Sequence, residues 1–128
     1  TKKARSALPE RIDFADAVYN VSHVALLTAA FCSGRLDMIR HAMRDRLHQP
    51  YRAELIPGLA KILAEAEHYG AVGAALSGAG PSILAFADKG VNRERLARFL
   101  EETLLEEQIE STLLWLSPER NGVKLLDE

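Results

Sequence analysis

The run Leu76-Ser77-Gly78-Ala79-Gly80-Pro81-Ser82-Ile83-Leu84 constrains this chain more than any other stretch. It sets a glycine-rich turn between two apolar segments that read as strands near 72–77 and 82–87, and two strands so joined pair antiparallel as a hairpin. Glycine supplies the positive φ of such a turn whether or not anything binds there. Gly78 and Gly80 also leave the backbone bare, Pro81 stiffens the exit, and Ser77 and Ser82 add hydroxyls beside backbone N–H groups, a composition that suits an anion or phosphate. Two common phosphate motifs are excluded. No Gly-Lys-Ser/Thr follows the glycines, and a strand rather than a helix comes next.

Around the hairpin the apolar spacing is helical. Asp13 is placed as an N-cap, with Phe14, Ala17, Val18, Val21, Ala25, Leu26 and Ala29 recurring at helical intervals as far as Gly34, which predicts a long, partly buried helix. A second helix carries Leu36, Ile39, Met43 and Leu47 on one stripe, and Pro50 predicts a loop or turn over 48–52. A third helix starts near Pro57, buries Leu59, Ile62, Leu63, Ala66 and Tyr69, and stops at Gly70. Beyond the hairpin, Asn92 caps a helix bearing Leu96, Phe99, Leu100 and Leu104, and 112–116 reads as a strand reached by a crossover. The segment 123–126 is an edge strand or pairs with something outside the chain. The order predicts an α+β fold, an antiparallel sheet with helices on one face, close to a ferredoxin-like split unit, as one domain over 1–128 without repeats or linkers.

Composition narrows the partners. With 16 basic and 18 acidic residues mixed along 128, the formal net charge of -2 gives no footprint for nucleic acid or an anionic membrane. No apolar run approaches the length of a bilayer span, and the first residues lead into no signal-peptide core. Cys32 is the only cysteine, so no internal disulfide is available; its apolar neighbours predict a buried, reduced thiol and a cytoplasmic setting. The chain begins without methionine, which predicts a piece of a longer polypeptide.

Few side chains suggest chemistry by themselves. His23, His41, His48 and His68 are too scattered for a zinc spacing, so no metal site is expected, and His48 reads as a solvated or capping loop residue. Glu101, Glu102, Glu106 and Glu107 form a solvated helix face rather than a catalytic carboxylate pair. Arg5 and Arg52 stand apart, in segments without clear helical periodicity. Two guanidinium groups meeting in one cleft would clamp a carboxylate or phosphate through paired, charge-assisted hydrogen bonds.

Four segments in order, Thr1-Lys2-Lys3-Ala4-Arg5-Ser6-Ala7-Leu8-Pro9, Asp16-Ala17-Val18-Tyr19-Asn20, Arg46-Leu47-His48-Gln49-Pro50-Tyr51-Arg52 and Leu76-Ser77-Gly78-Ala79-Gly80-Pro81-Ser82, resemble homoserine kinases of the GHMP small-molecule kinases. The resemblance spans nearly the whole chain but only the carboxy-terminal domain of that family. The amino-terminal domain with its Pro-x-x-x-Gly-Leu-Gly-Ser-Ser phosphate loop is not in these residues. It implies an intact enzyme that moves the γ-phosphoryl of Mg-ATP to the side-chain hydroxyl of L-homoserine on the route to threonine, with ATP and Mg2+ bound mainly by the other domain.

By the same resemblance, Arg5 and Arg52 hold the substrate α-carboxylate, Thr1 places a hydroxyl near the reacting groups, and Gly78, Ala79 and Gly80 support the phosphate loop. Pro81 stands where the wider family often has glycine, which argues against mevalonate or galactose substrates. No residue is an evident general base, and phosphoryl transfer needs positioning and charge neutralisation more than a base. This chain alone is then expected to be inactive. Two other readings stand beside this one: a non-catalytic amino-acid-binding regulatory module of ferredoxin-like fold, and a homodimerising unit that exposes 113–116.

Overall fold

The computed structural model describes residues 2–119 and 121–123. Six α-helices and one hairpin follow in the order α1 (Lys2–Ser6), α2 (Phe14–Ser33), α3 (Leu36–Ala42), α4 (Gln49–Ala53), α5 (Leu59–Glu65), a 3-10 turn (Ala66–Tyr69), β1 (Ala71–Leu76), β2 (Ile83–Ala87) and α6 (Arg93–Glu106). β1 and β2 pair antiparallel, Leu76 opposite Ile83 and Ala74 opposite Ala85, with a bulge between Ala71 and Gly73. The α+β class and the hairpin are those expected from the sequence.

The core forms where α5, the 3-10 turn and α6 meet the hairpin. Ile62, Ala66, Ala71, Leu96 and Phe99 are buried together, and Tyr69, Ala74, Ile83 and Ala85 pack against them. The Tyr69 ring stacks on Phe99 at 4.0 Å between centroids. Asn92 caps α6 by accepting the Arg95 backbone N–H at 3.0 Å, as its position before the apolar stripe predicts. On the alternate row of the sheet, Phe86 meets Phe31 of α2 edge-on at 5.3 Å. Gly73 lets β1 approach α3 closely; a Cβ there would lie 2.7 Å from the Met43 sulfur.

Several expectations are corrected. The second helix ends at Ala42 rather than running through Leu47, and 49–53 is a short helix, not a loop. Pro50 falls in its first turn, where a residue needs no amide donor. The segment 112–116 forms no strand: among the described residues the sheet is the β1–β2 pair, this apolar run pairs with neither of its edges, and Leu114 and Leu116 stay exposed. Of 123–126, residue 123 is irregular and the remainder lies outside the described residues. Cys32 is exposed rather than buried, because α2 turns only part of its circumference inward, burying His23 and Ala30. At 20 residues α2 is also long and apolar enough, by length and composition, to span a bilayer, contrary to expectation. Here it acts as a packing helix: Asp16 and Asn20 pair with the segment after α3, and the buried His23 bonds its own helix.

Candidate functional site

Arg52 sits where three segments converge. It belongs to α4, and its guanidinium donates from Nε to the Ala4 carbonyl of α1 at 3.2 Å and from Nη1 to the Gly78 carbonyl of the glycine turn at 2.8 Å. His48 Nδ1 lies 3.4 Å from the same Nη1. These bonds fix the guanidinium plane and leave Nη2 without a partner among the described residues. Arg5 lies on the last turn of α1, one residue beyond the carbonyl that Arg52 holds, and its side chain is exposed and unpaired among the described residues. The structure thus joins the two arginine-bearing segments, and both are short helices rather than aperiodic stretches. Free guanidinium N–H donors of this kind can bond a carboxylate or phosphate.

The glycine turn closes over this corner. Gly80 N–H bonds the Ser77 carbonyl at 3.0 Å and Ser77 N–H bonds the Ser82 carbonyl at 2.9 Å. Gly78 and Gly80 have φ of 58° and 75°, values that L side chains rarely adopt. The two glycines differ in surroundings. A Cβ on Gly78 would meet nothing within 4 Å, whereas one on Gly80 would lie 2.7 Å from Ile56 Cδ1 and 3.0 Å from Leu76 Cδ1. Gly80 therefore answers to packing beneath the turn, and Gly78 presents bare backbone at an open surface.

Behind the corner lies a polar network that the sequence reading missed. The Asp45 carboxylate is nearly buried, its side chain only 8% exposed. Oδ2 accepts the backbone N–H groups of His48 at 2.8 Å and Gln49 at 2.6 Å, and Oδ1 accepts from Asn20 Nδ2 of α2 at 2.5 Å. Asn20 in turn accepts the Arg46 N–H at 2.9 Å. The Arg46 guanidinium covers the Tyr19 ring at 3.8 Å and pairs with Asp16 at 3.1 Å. Burial works against the Asp45 charge, but the Gln49 and His48 amides, the Asn20 side chain and the His48 imidazole outweigh it, so the carboxyl is held below its ordinary value. Gln49, also buried, accepts the Leu76 N–H on Oε1 at 2.7 Å, just ahead of the glycine turn. The available signal was the acid four residues before Gln49-Pro50, a cap for a helix with a first-turn proline, hidden because 48–52 reads as a loop.

Thr1 lies outside the described residues. No three His, Cys, Asp or Glu side chains converge as a metal-ligand set among the described residues. An open groove of about 440 Å3, lined by Lys61, Tyr69, Arg95 and Phe99 among others, shares no residue with the arginine corner. Two of its cations are engaged, Lys61 with Glu106 at 2.8 Å and Arg95 with the His68 carbonyl at 2.8 Å.

Comparison with known proteins identifies the family. A homoserine kinase from Deinococcus radiodurans is 51% identical over 104 residues, covering 81% of this chain and 34% of the relative. One from Carboxydothermus hydrogenoformans is 42% identical over 122 residues, covering 95% of this chain and 39% of the relative. The crystal structure of homoserine kinase from Cytophaga hutchinsonii superposes with a TM-score of 0.75 at 30% identity, covering 86% of this chain and 35% of that one. The chain thus spans little more than a third of the length of these relatives. The family described as GHMP kinases C terminal matches residues 27–105, more than half of the chain, and with that match this chain belongs to the GHMP kinases, as their C-terminal domain.

Proposed function

We propose that this chain is the substrate-binding part of an ATP-dependent homoserine kinase. Arg52 carries the reading: its Nε and Nη1 are pinned by the Ala4 and Gly78 carbonyls, and its Nη2 donors remain unpartnered beside the segment that bears Arg5. The two guanidinium groups hold the α-carboxylate of L-homoserine, and the amino acid's length then sets where its side-chain hydroxyl lies. Thr1 supplies a hydroxyl near the reacting groups. Gly78, Ala79 and Gly80 bring bare backbone toward the phosphate loop of an amino-terminal domain.

In the reaction the substrate hydroxyl oxygen forms a bond to the γ-phosphorus of ATP, the bond from that phosphorus to the β–γ bridging oxygen breaks, and ADP leaves. The hydroxyl proton is released. This domain's share is orientation, which counts heavily in phosphoryl transfer. ATP and Mg2+ are held mainly by the other domain, where the family resemblance puts the Pro-x-x-x-Gly-Leu-Gly-Ser-Ser phosphate loop. The setting is cytoplasmic.

Coupled phosphoryl transfer from Mg-ATP to L-homoserine tests the reading, with this chain alone, the separately purified upstream half, and both together. Turnover only in the mixture is the expected result. Turnover by this chain alone overturns the predicted inactivity, and none in a stoichiometric, folded complex overturns the kinase assignment.

A further inference from the structure

We propose that Asp45 is a positioning residue for Arg52, acting as a pair with Asn20. The proposal rests on Arg52 binding the substrate carboxylate. α4 is only five residues long and begins with a proline-containing turn, so its own hydrogen bonds do little to hold it in place. What anchors it is the Asp45 carboxylate, which accepts the N–H groups of His48 and Gln49 at the start of the helix. Asp45 is itself held by Asn20 of α2, a 20-residue helix that packs on α3. The consequence reaches the site at two points. Gln49, whose amide Asp45 holds, fixes the last residue of β1 through the Leu76 N–H. Arg52, three residues on, meets the Gly78 carbonyl. The 16–20 segment of α2 thereby acts on the site without touching it.

The bonding pattern makes the pair separable from general stability. In Asp45→Asn the side-chain oxygen still accepts the two amides, but its NH2 then faces the NH2 of Asn20. Flipping Asn20 only moves the mismatch to the Arg46 N–H, which that side chain also serves. In the swap Asn20→Asp with Asp45→Asn, every donor again faces an acceptor.

The test uses the natural full-length polypeptide that contains this chain. For Asp45→Asn the expected result is a KM for L-homoserine raised about ten-fold, with kcat and the KM for ATP within about two-fold, and recovery to within about three-fold in the swap. Wild-type KM in a folded Asp45→Asn, while Arg52→Ala raises it, overturns the positioning role and leaves the reading of Arg52 standing. A joint fall in kcat, both affinities and Tm that the swap does not repair overturns it as well. If Asp45→Asn does not fold, the swap decides: near-wild-type KM supports the pair, and raised KM or failure to fold overturns it. An inactive wild type overturns the reading of Arg52 and this proposal together.

Discussion

On the proposed reading Arg52 has two tasks, tying segments together and holding a carboxylate, that suit a guanidinium. Its Nε and Nη1 tie α1 and the glycine turn together, and Nη2 has no partner among the described residues. An ammonium at the same position supplies a point charge but neither the geometry nor enough donors. We therefore expect Arg52→Lys in the full-length polypeptide to weaken L-homoserine binding about ten-fold or more, since a charge-assisted bond contributes ~1.5–3 kcal/mol; isothermal titration against the amino acid checks this. The two turn glycines give a sharper comparison. Gly78→Ala meets only the backbone penalty of its φ, about 1 kcal/mol, because nothing stands within 4 Å of the new methyl. Gly80→Ala meets a similar penalty and drives a methyl into Ile56 and Leu76, adding about 1–3 kcal/mol. Urea unfolding of both variants should rank them in that order; equal losses would contradict the packing seen under Gly80. From the sequence the two glycines are indistinguishable, because their difference lies in what the chain places beneath them.

Among the elements, α4 and α6 show two ways to start a helix. α6 carries a local cap, Asn92 bonding the Arg95 amide, and was legible for that reason. Asn92→Ala should lower stability by about 1 kcal/mol in thermal unfolding. The start of α4 is held by Asp45 in concert with Asn20, 25 residues away, and no local rule announces such a partner. Its carboxyl is held below the ordinary range, so the folded state favours the ionised form. The stability this contributes is complete above the unfolded-state pKa, about 3.9, and is lost as pH falls toward and through the depressed folded value. A Tm profile from pH 6 to pH 2, compared between wild type and Asp45→Asn, should show a shallower acid limb in the variant. Parallel limbs would mean that Asp45 makes no such contribution. α2 shows the converse. Its periodicity predicted helix correctly, yet its periodicity alone did not reveal that one row pairs with Arg46 and Asp45 while Phe14, Val18 and Val21 remain exposed.

At the scale of the whole molecule, a two-stranded sheet leaves apolar surface uncovered: Phe14 and Val21 on α2, and Leu114 and Leu116 on the irregular segment after α6. Surfaces of this kind promote association. The isolated chain should show concentration-dependent self-association in sedimentation velocity, reduced by Leu116→Asp, and a strictly monomeric chain at high concentration would contradict this. What the sequence alone determined is whatever depends on local physics. Apolar periodicity marked the helices, Asn92 marked a cap, and the glycines between two apolar runs marked the hairpin with its antiparallel pairing. The four motif segments, spread in order from residue 1 to residue 82, were enough for the family. Tertiary structure decided the rest, and in each case the deciding partner is remote in the chain. The run 112–116 has the composition of a strand, but a strand exists only against an edge, and the fold does not bring this run to either edge of the hairpin. The segment 48–52 reads as a loop until Asp45 and Asn20 cap it into a helix. Arg52 meets its partners only when α1 and the glycine turn, 48 residues behind and 26 ahead, place their carbonyls on one guanidinium. Hydrogen-bond geometry between distant segments is set by packing, and packing is a property of the folded chain as a whole.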